Sequence, residues 1–179
     1  MKRYFMVATL LLTLIFSIVT TAASNPFVGD PKEEYYMVTF VSGIEYWKGC
    51  FAGMKDAAEL LGVKAIYTGA PQADVNQQVT VLEQVTAKRP AGIAVTCSNP
   101  DGLRAPIDKA IAAGIPVVTF DADSPLSKRY CYLGTGNYNA GAMAARYLAE
   151  LIGGKGEVAI STVTGQLNHE ERKTGFTET

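Results

Sequence analysis

The sequence predicts an α/β fold: a three-layer, doubly wound parallel sheet, followed by a second unit that is begun and left incomplete. Two observations carry this. Short runs rich in β-branched and aromatic residues recur at 36–40, 63–67, 92–96 and 117–120, and amphipathic stretches of crossover length separate them. Such alternation builds a parallel sheet with helices on its faces. Ligands bind such sheets at the carboxyl ends of the strands, so function is expected just after each run.

Composition fits a packed domain. Hydrophobic residues make up 48% and charged residues 18% of the 179-residue chain, which argues against disorder. A net charge of −1 gives no electrostatic footprint for nucleic acid.

Residues 1–23 read as an export signal. Lys2 and Arg3 supply the positive start, 5–19 the apolar centre, and Thr21, Ala22 and Ala23 the small-residue cleavage site. An uncleaved anchor is the alternative, although the run is short for a membrane span and a polar stretch follows it. Export implies a compartment where disulfides form. Cys50, Cys97 and Cys131 are odd in number and match no zinc pattern. They are expected to be small buried hydrophobes, with a Cys97–Cys131 bridge as an option.

Residues 24–33 form an exposed lead-in, and 34–134 form the first α/β unit. A first helix over 46–61 turns Phe51, Met54, Ala58 and Leu61 inward and stops at Gly62. Asp74 caps the second helix, with Gln77 reaching back as in a capping box, and Pro90 closes that segment. The third helix follows Asn99 and Pro100 and buries Leu103, Ile107 and Ile111. Pro106 is placed near its first turn, since a deeper proline interrupts the hydrogen-bond ladder. A fifth strand is expected at 130–133, a fourth helix over 138–152 and a sixth strand at 157–161. Asn168 and Glu171 form a capping pair for a last helix. A strand at 157–161 with no later partner is a poor ending, so the chain reads as a fragment or natural truncation of a longer protein.

The chemistry-bearing residues cluster after the strands. Asp121 and Asp123 follow the fourth run, and ionised carboxylates accept several hydrogen bonds from vicinal hydroxyls. The alternative is a turn cap beside Pro125. Tyr46 and Trp47 open the first helix, where flat rings either stack on the C–H face of a sugar or pack against a neighbouring loop. Asn99, after the third strand, either lines the crevice or caps the helix. His169 has no nucleophile or metal-ligand partner at a telling distance and reads as an exposed helix-start residue. Lys128 and Arg129 read as a solvated loop. The segment from Gly134 to Gly141, GTGNYNAG, follows the wrong strand and misses the glycine spacing of a dinucleotide loop, so neither cofactor nor metal is expected.

Taken in order, SGIEYWKG, PAGIAVTCSNPDGL, AAGIPVVTFDADSP, GTGNYNAG and NHEERKTGF resemble the type I periplasmic binding proteins, the ribose- and galactose-binding group of transporter receptors. The likeness spans 35–179 but only about the first half of the family's length. It implies two α/β lobes joined by crossing strands, with the first crossing at 134–137 and the truncated start of the second lobe in 135–179. It also implies a non-enzymatic, monomeric, periplasmic receptor that closes on a small sugar or polyol and docks on an ABC permease. A sensor feeding a chemoreceptor or kinase is the alternative, and an exported enzyme a weaker one. In this likeness Asp121 matches the hydroxyl-binding aspartate, Tyr46 and Trp47 the stacking aromatics, and Arg172 the arginine reaching across from the second lobe. Asn168 is a further contact or a helix cap, and Arg172 is alternatively solvated beside Glu171 or Glu178. Ala122 stands where ribose binders often carry arginine.

Overall fold

The computed structural model describes residues 27–179, and the expected export signal lies outside them. Strand β1 (Glu34–Thr39) pairs in parallel with β2 (Lys64–Gly69) on one side and β3 (Gly92–Val95) on the other. Strands β4 (Val117–Phe120) and β5 (Tyr132–Leu133) extend the sheet to the order β2-β1-β3-β4-β5. Five helices accompany them: α1 (Tyr46–Leu61), α2 (Val75–Ala87), α3 (Pro100–Ala112), α4 (Asn137–Leu151) and α5 (Leu167–Thr177). The winding reverses between β1 and β3, and at that switch point the loops diverge and open a crevice.

Local chemistry sets the boundaries. Gly62 ends α1 in the left-handed region at φ 70°, which costs glycine little. Asp74 Oδ1 accepts from the Gln77 backbone N–H at 2.8 Å to start α2, and Asn99 Oδ1 accepts from Gly102 N–H at 2.8 Å to start α3. The main core lies under α2 and α3, where Leu82, Val85, Leu103 and Ile107 meet Tyr36, Val38, Val95 and Val117 of the sheet. Each such fully buried side chain contributes about 1.5–3 kcal/mol. On the opposite face, Met37, Ala94, Val118 and Phe120 border an open apolar cavity of about 420 Å³ beside Cys50 and Met54 of α1. Among the described residues no helix is long and apolar enough to cross a membrane.

The structure departs from expectation at several places. Residues 157–161 form no strand; they are exposed, and Ala159–Ser161 border a cavity with residues of α4 and α5. The ladder bonds of β5 begin at Tyr130, whose N–H reaches Val117 O at 2.8 Å, but only Tyr132–Leu133 hold strand geometry. Pro106 is the seventh residue of α3, not a first-turn residue; Pro100 holds the first position, and Pro106 is buried in the interior. The capping box of α2 is half made, since Gln77 Oε1 is buried without a protein partner. Helix α5 starts two residues earlier than a cap at Asn168 would place it, with Gln166 at the cap position and Glu170 Oε1 accepting from Gly165 N–H at 3.3 Å.

The cysteines stay unpaired: Cys97 is buried, and Cys50 and Cys131 are exposed, against the expectation that all three are buried. Cys97 leaves β3 and Cys131 enters β5, with β4 between them. Two strand spacings, about 9–10 Å, exceed the Cα separation that a disulfide spans. Burial pushes the Cys97 thiol well above its ordinary range.

Candidate functional site

Asp121 ends β4 in a strained conformation. Its φ is +60°, and Ala122 N–H bonds Phe120 O at 2.7 Å, which closes a γ-turn of the rare positive-φ form. A non-glycine residue held this way costs of order 1–3 kcal/mol and persists only where its surroundings over-determine it. They do so here. Asp121 N–H donates to Leu133 O at 3.1 Å, Tyr132 Oη donates to Asp121 O at 2.8 Å, and Cys97 N–H holds Ala122 O at 3.0 Å. Neighbouring strands on both sides thus bolt one turn, and the turn aims one carboxylate into the crevice.

Two hydroxyls from other strand ends meet that carboxylate. Tyr46 Oη, which follows β1, donates to Asp121 Oδ1 at 2.7 Å, and Thr96 Oγ1, which follows β3, lies 3.5 Å from Oδ2. The Tyr46 phenol is pushed up to about 12, chiefly by its hydrogen bond to Asp121 and then by burial, while the Arg172 guanidinium opposes the shift. That opposition brings Arg172, which is exposed on α5, within electrostatic reach of the same site. It makes no ion pair with Glu171 or Glu178 among the described residues.

Trp47 departs from its expected role. It is 0% exposed, and Phe40, Tyr46 and Phe120 meet it edge to face at centroid distances of 5.4, 4.6 and 5.8 Å. Its ring is the wall behind Tyr46, which is itself 63% exposed and carries the open aromatic surface. The Trp47 indole N–H meets no protein acceptor.

Asp123 differs from Asp121 in what it has left to give. Arg129 grips it with Nε on Oδ1 and a terminal nitrogen on Oδ2, both at 2.5 Å, and Oδ1 also accepts from Thr119 Oγ1 at 2.6 Å and Ser124 N–H at 2.8 Å. Oδ1 is thereby saturated with three of the four bonds, while Oδ2 holds only the Arg129 contact. Arg129 is therefore no solvated loop residue; its side chain is 19% exposed, and the hydrogen bond to Asp123 raises its already high pKa. Lys128 is exposed as expected, and its backbone N–H bonds Asp108.

A cavity of about 300 Å³ lies between Asp123 and the start of α5, lined also by Tyr132, Asn137, Asn168 and Glu171. Asn168 is buried there, with Oδ1 accepting from His169 N–H at 3.0 Å. Asn99 is engaged as the cap of α3. So Tyr46 and Asp121 are brought into contact with Arg172 nearby, Asp123 and Asn168 share the adjoining cavity, and Trp47 and Asn99 serve as supports.

Several residues of the site carried no separate signal in the sequence. Thr96 was within reach of the rule that ligands gather at strand ends, but threonine is common in strands. Gln78 looked like an ordinary helix residue; it is fully buried, donates to Thr96 O and accepts from Ser98 N–H at 3.2 Å and Ser98 Oγ at 2.6 Å. Tyr132 and Asn137 depend on folding of the β5 edge. Together these groups present one carboxylate with open acceptor positions, an exposed phenol ring and an opposing guanidinium. That set suits a neutral, hydroxyl-rich molecule. Among the described residues no group of three or more His, Cys, Asp or Glu is placed to hold a metal ion.

Comparison with known proteins bears on the fold and the family. The ribose import binding protein of Bacillus subtilis is 25% identical over 156 residues, covering 86% of this chain and 51% of its own length. A sugar-binding protein of a sugar ABC transporter from Bacillus halodurans superposes with a TM-score of 0.77 at 53% identity, over 82% of this chain and 50% of that one. An arabinose-binding protein of Geobacillus stearothermophilus gives 0.74 at 54% identity, over 83% and 51%. The chain thus spans about half the length of these relatives. Residues 35–179 match the model of the periplasmic binding protein domain, and the chain belongs to that family.

Proposed function

We propose that this chain supplies the sugar-gripping first lobe, and the beginning of the second, of an exported receptor that hands a small sugar to an ABC permease. The observation that carries the proposal is the meeting of Tyr46, Thr96 and Asp121, from three strand ends, at the switch point of the sheet. The relatives named for ribose and arabinose support a monosaccharide as ligand, and Ala122 in place of arginine favours arabinose over ribose. The first lobe ends near Gly134, and 134–137 form the crossing about which the lobes close. Ligand contacting both lobes shifts the population toward the closed state, which docks on the permease as a monomer.

Binding without turnover is part of the proposal. His169 Nδ1 accepts a backbone N–H from Val163 at 3.4 Å and, among the described residues, engages no serine or cysteine. A chain that supplies one lobe and part of another binds weakly alone. The test is a titration of the isotope-labelled chain with arabinose, ribose and allose, followed by NMR at Tyr46 and Asp121. Saturable shifts at these residues, largest with arabinose and with affinity no better than about millimolar, are expected. No shift there with any of the three overturns the proposal.

A further inference from the structure

The sugar contact proposed for Asp121 depends on a conformation that Asp121 does not adopt unaided. We propose that Tyr132 is a positioning residue that locks the Asp121 turn and ties it to the crossing segment; this rests on the site assignment above. The Tyr132 hydroxyl reaches the Asp121 carbonyl at 2.8 Å, among the described residues the one hydrogen bond a side chain makes to the backbone of the γ-turn.

Three observations give Tyr132 this role. The strain at Asp121, φ +60°, needs an external hold on the peptide that follows it, and a carbonyl pinned by a hydroxyl cannot swing. Next, Gly134 packs against Tyr132: a Cβ there would collide with the tyrosine hydroxyl and push it aside. Finally, burial chiefly raises the Tyr132 phenol above its ordinary value, a hydrogen bond with Asn137, the first residue of α4, opposes the rise, and the charges of Asp121, Asp123 and Glu171 add to it. Asn137 is 4% exposed and its Oδ1 has no protein partner, so that acceptor is uncommitted at the point where the crossing enters α4. The Tyr132 hydroxyl thus meets both the Asp121 carbonyl and the crossing segment. Displacement of the crossing acts on the carboxylate's backbone through that hydroxyl, beside the backbone bond from Asp121 to Leu133.

The experiment replaces Tyr132→Phe, which keeps the ring and deletes only the hydroxyl, in the 179-residue chain. Its readout is the Tyr46 phenol, followed by NMR of tyrosine labelled at Cζ, because that phenol is raised to about 12 only while Asp121 Oδ1 stays in place. The expected result is a fall of the Tyr46 value toward 10, with the amide spectrum otherwise folded. Packing of the ring alone would not move it. Should Tyr132→Phe fail to fold, Gly134→Ala serves, since it displaces the hydroxyl while keeping it, and the same fall is expected. A Tyr46 phenol that stays near 12 in a folded variant overturns the inference. Arabinose separates this from the site assignment. If the phenol falls in the variant while wild type shows no arabinose response, the lock stands and the sugar assignment fails. If arabinose binds wild type and the variant equally, with the phenol unmoved, the lock fails and the sugar assignment stands. Where both hold, Tyr132→Phe weakens arabinose about tenfold.

Discussion

The Tyr46 hydroxyl donates to Asp121 Oδ1 at 2.7 Å, joining the start of α1 to the end of β4 across 75 residues of chain. An acid and a phenol so close share a proton that the phenol keeps, which is why ionising Tyr46 is unfavourable in the folded protein. The bond also leaves Asp121 with acceptor positions open toward the crevice.

Replacing Asp121→Asn removes the charge that holds the Tyr46 proton, so the phenol should titrate closer to 10 than to about 12. Because the folded value lies above the unfolded one, the stabilisation from this bond is fully present below pH 10. It is lost as pH rises from 10 to about 12. Wild type should therefore show an alkaline loss of stability in that window that Asp121→Asn lacks. Denaturant midpoints measured from pH 8 to pH 12 decide it; parallel curves for the two proteins would refute the assignment.

The Arg129–Asp123 pair should be worth far more than its surface counterpart. Its side chains are 19% and 12% exposed, and removing one partner strands a charge that four hydrogen bonds had satisfied. Arg129→Ala is expected to cost about 2–3 kcal/mol in urea unfolding, somewhat less than a fully buried pair costs. Arg129→Lys should recover little, because an ammonium cannot reproduce the two-pronged grip. Lys109→Ala, which breaks an exposed contact with Glu83 at 2.9 Å, should cost no more than about 0.5 kcal/mol.

Asn99 separates capping from ligand contact. With Oδ1 on Gly102 N–H, Asn99→Ala should destabilise the chain by about 1 kcal/mol. Asn99→Asp, which keeps the cap, should not. Neither should alter the arabinose response at Tyr46. A loss of that response in both variants would make Asn99 a contact after all.

How much of this was legible in the sequence follows from the range of the interactions involved. The sheet and α1 through α4 were visible because β-branched runs, helical spacing and caps such as Asp74 and Gly62 act within a few residues. The strand expected at 157–161 failed for the opposite reason: its composition favours extension, but a strand exists only where another backbone accepts its hydrogen bonds. Asp121 and Tyr46 were singled out because strand ends are where such folds bind, and they meet in the structure. Trp47 was misjudged, since nothing local distinguishes a ring that faces solvent from one that three other rings enclose. Gln78 and Tyr132 act on Thr96 and Asp121, which lie on other elements, and Arg129 closes on Asp123 only through the fold of one loop, so their roles appear only when the chain is folded.

Glycines give the sharpest contrast between packing and propensity. In α4 and α5, Gly141 and Gly175 face each other's helix, and a Cβ on either would run into a backbone carbonyl, that of Arg172 or of Tyr138. Backbone cannot yield as a flexible side chain does, so Gly141→Ala should separate the helices and carry Arg172 away from Tyr46. Gly53 sits in the interior of α1 with nothing within 4 Å of its would-be Cβ. There an alanine gains helix propensity and restricts the unfolded chain, so Gly53→Ala should stabilise by about 0.5–1 kcal/mol. Guanidinium unfolding of the two variants should move in opposite directions, and NMR of Gly141→Ala should show the Tyr46 phenol rising as the opposing guanidinium withdraws. Equal stability of the two variants would mean that α4 and α5 do not pack at this distance in solution.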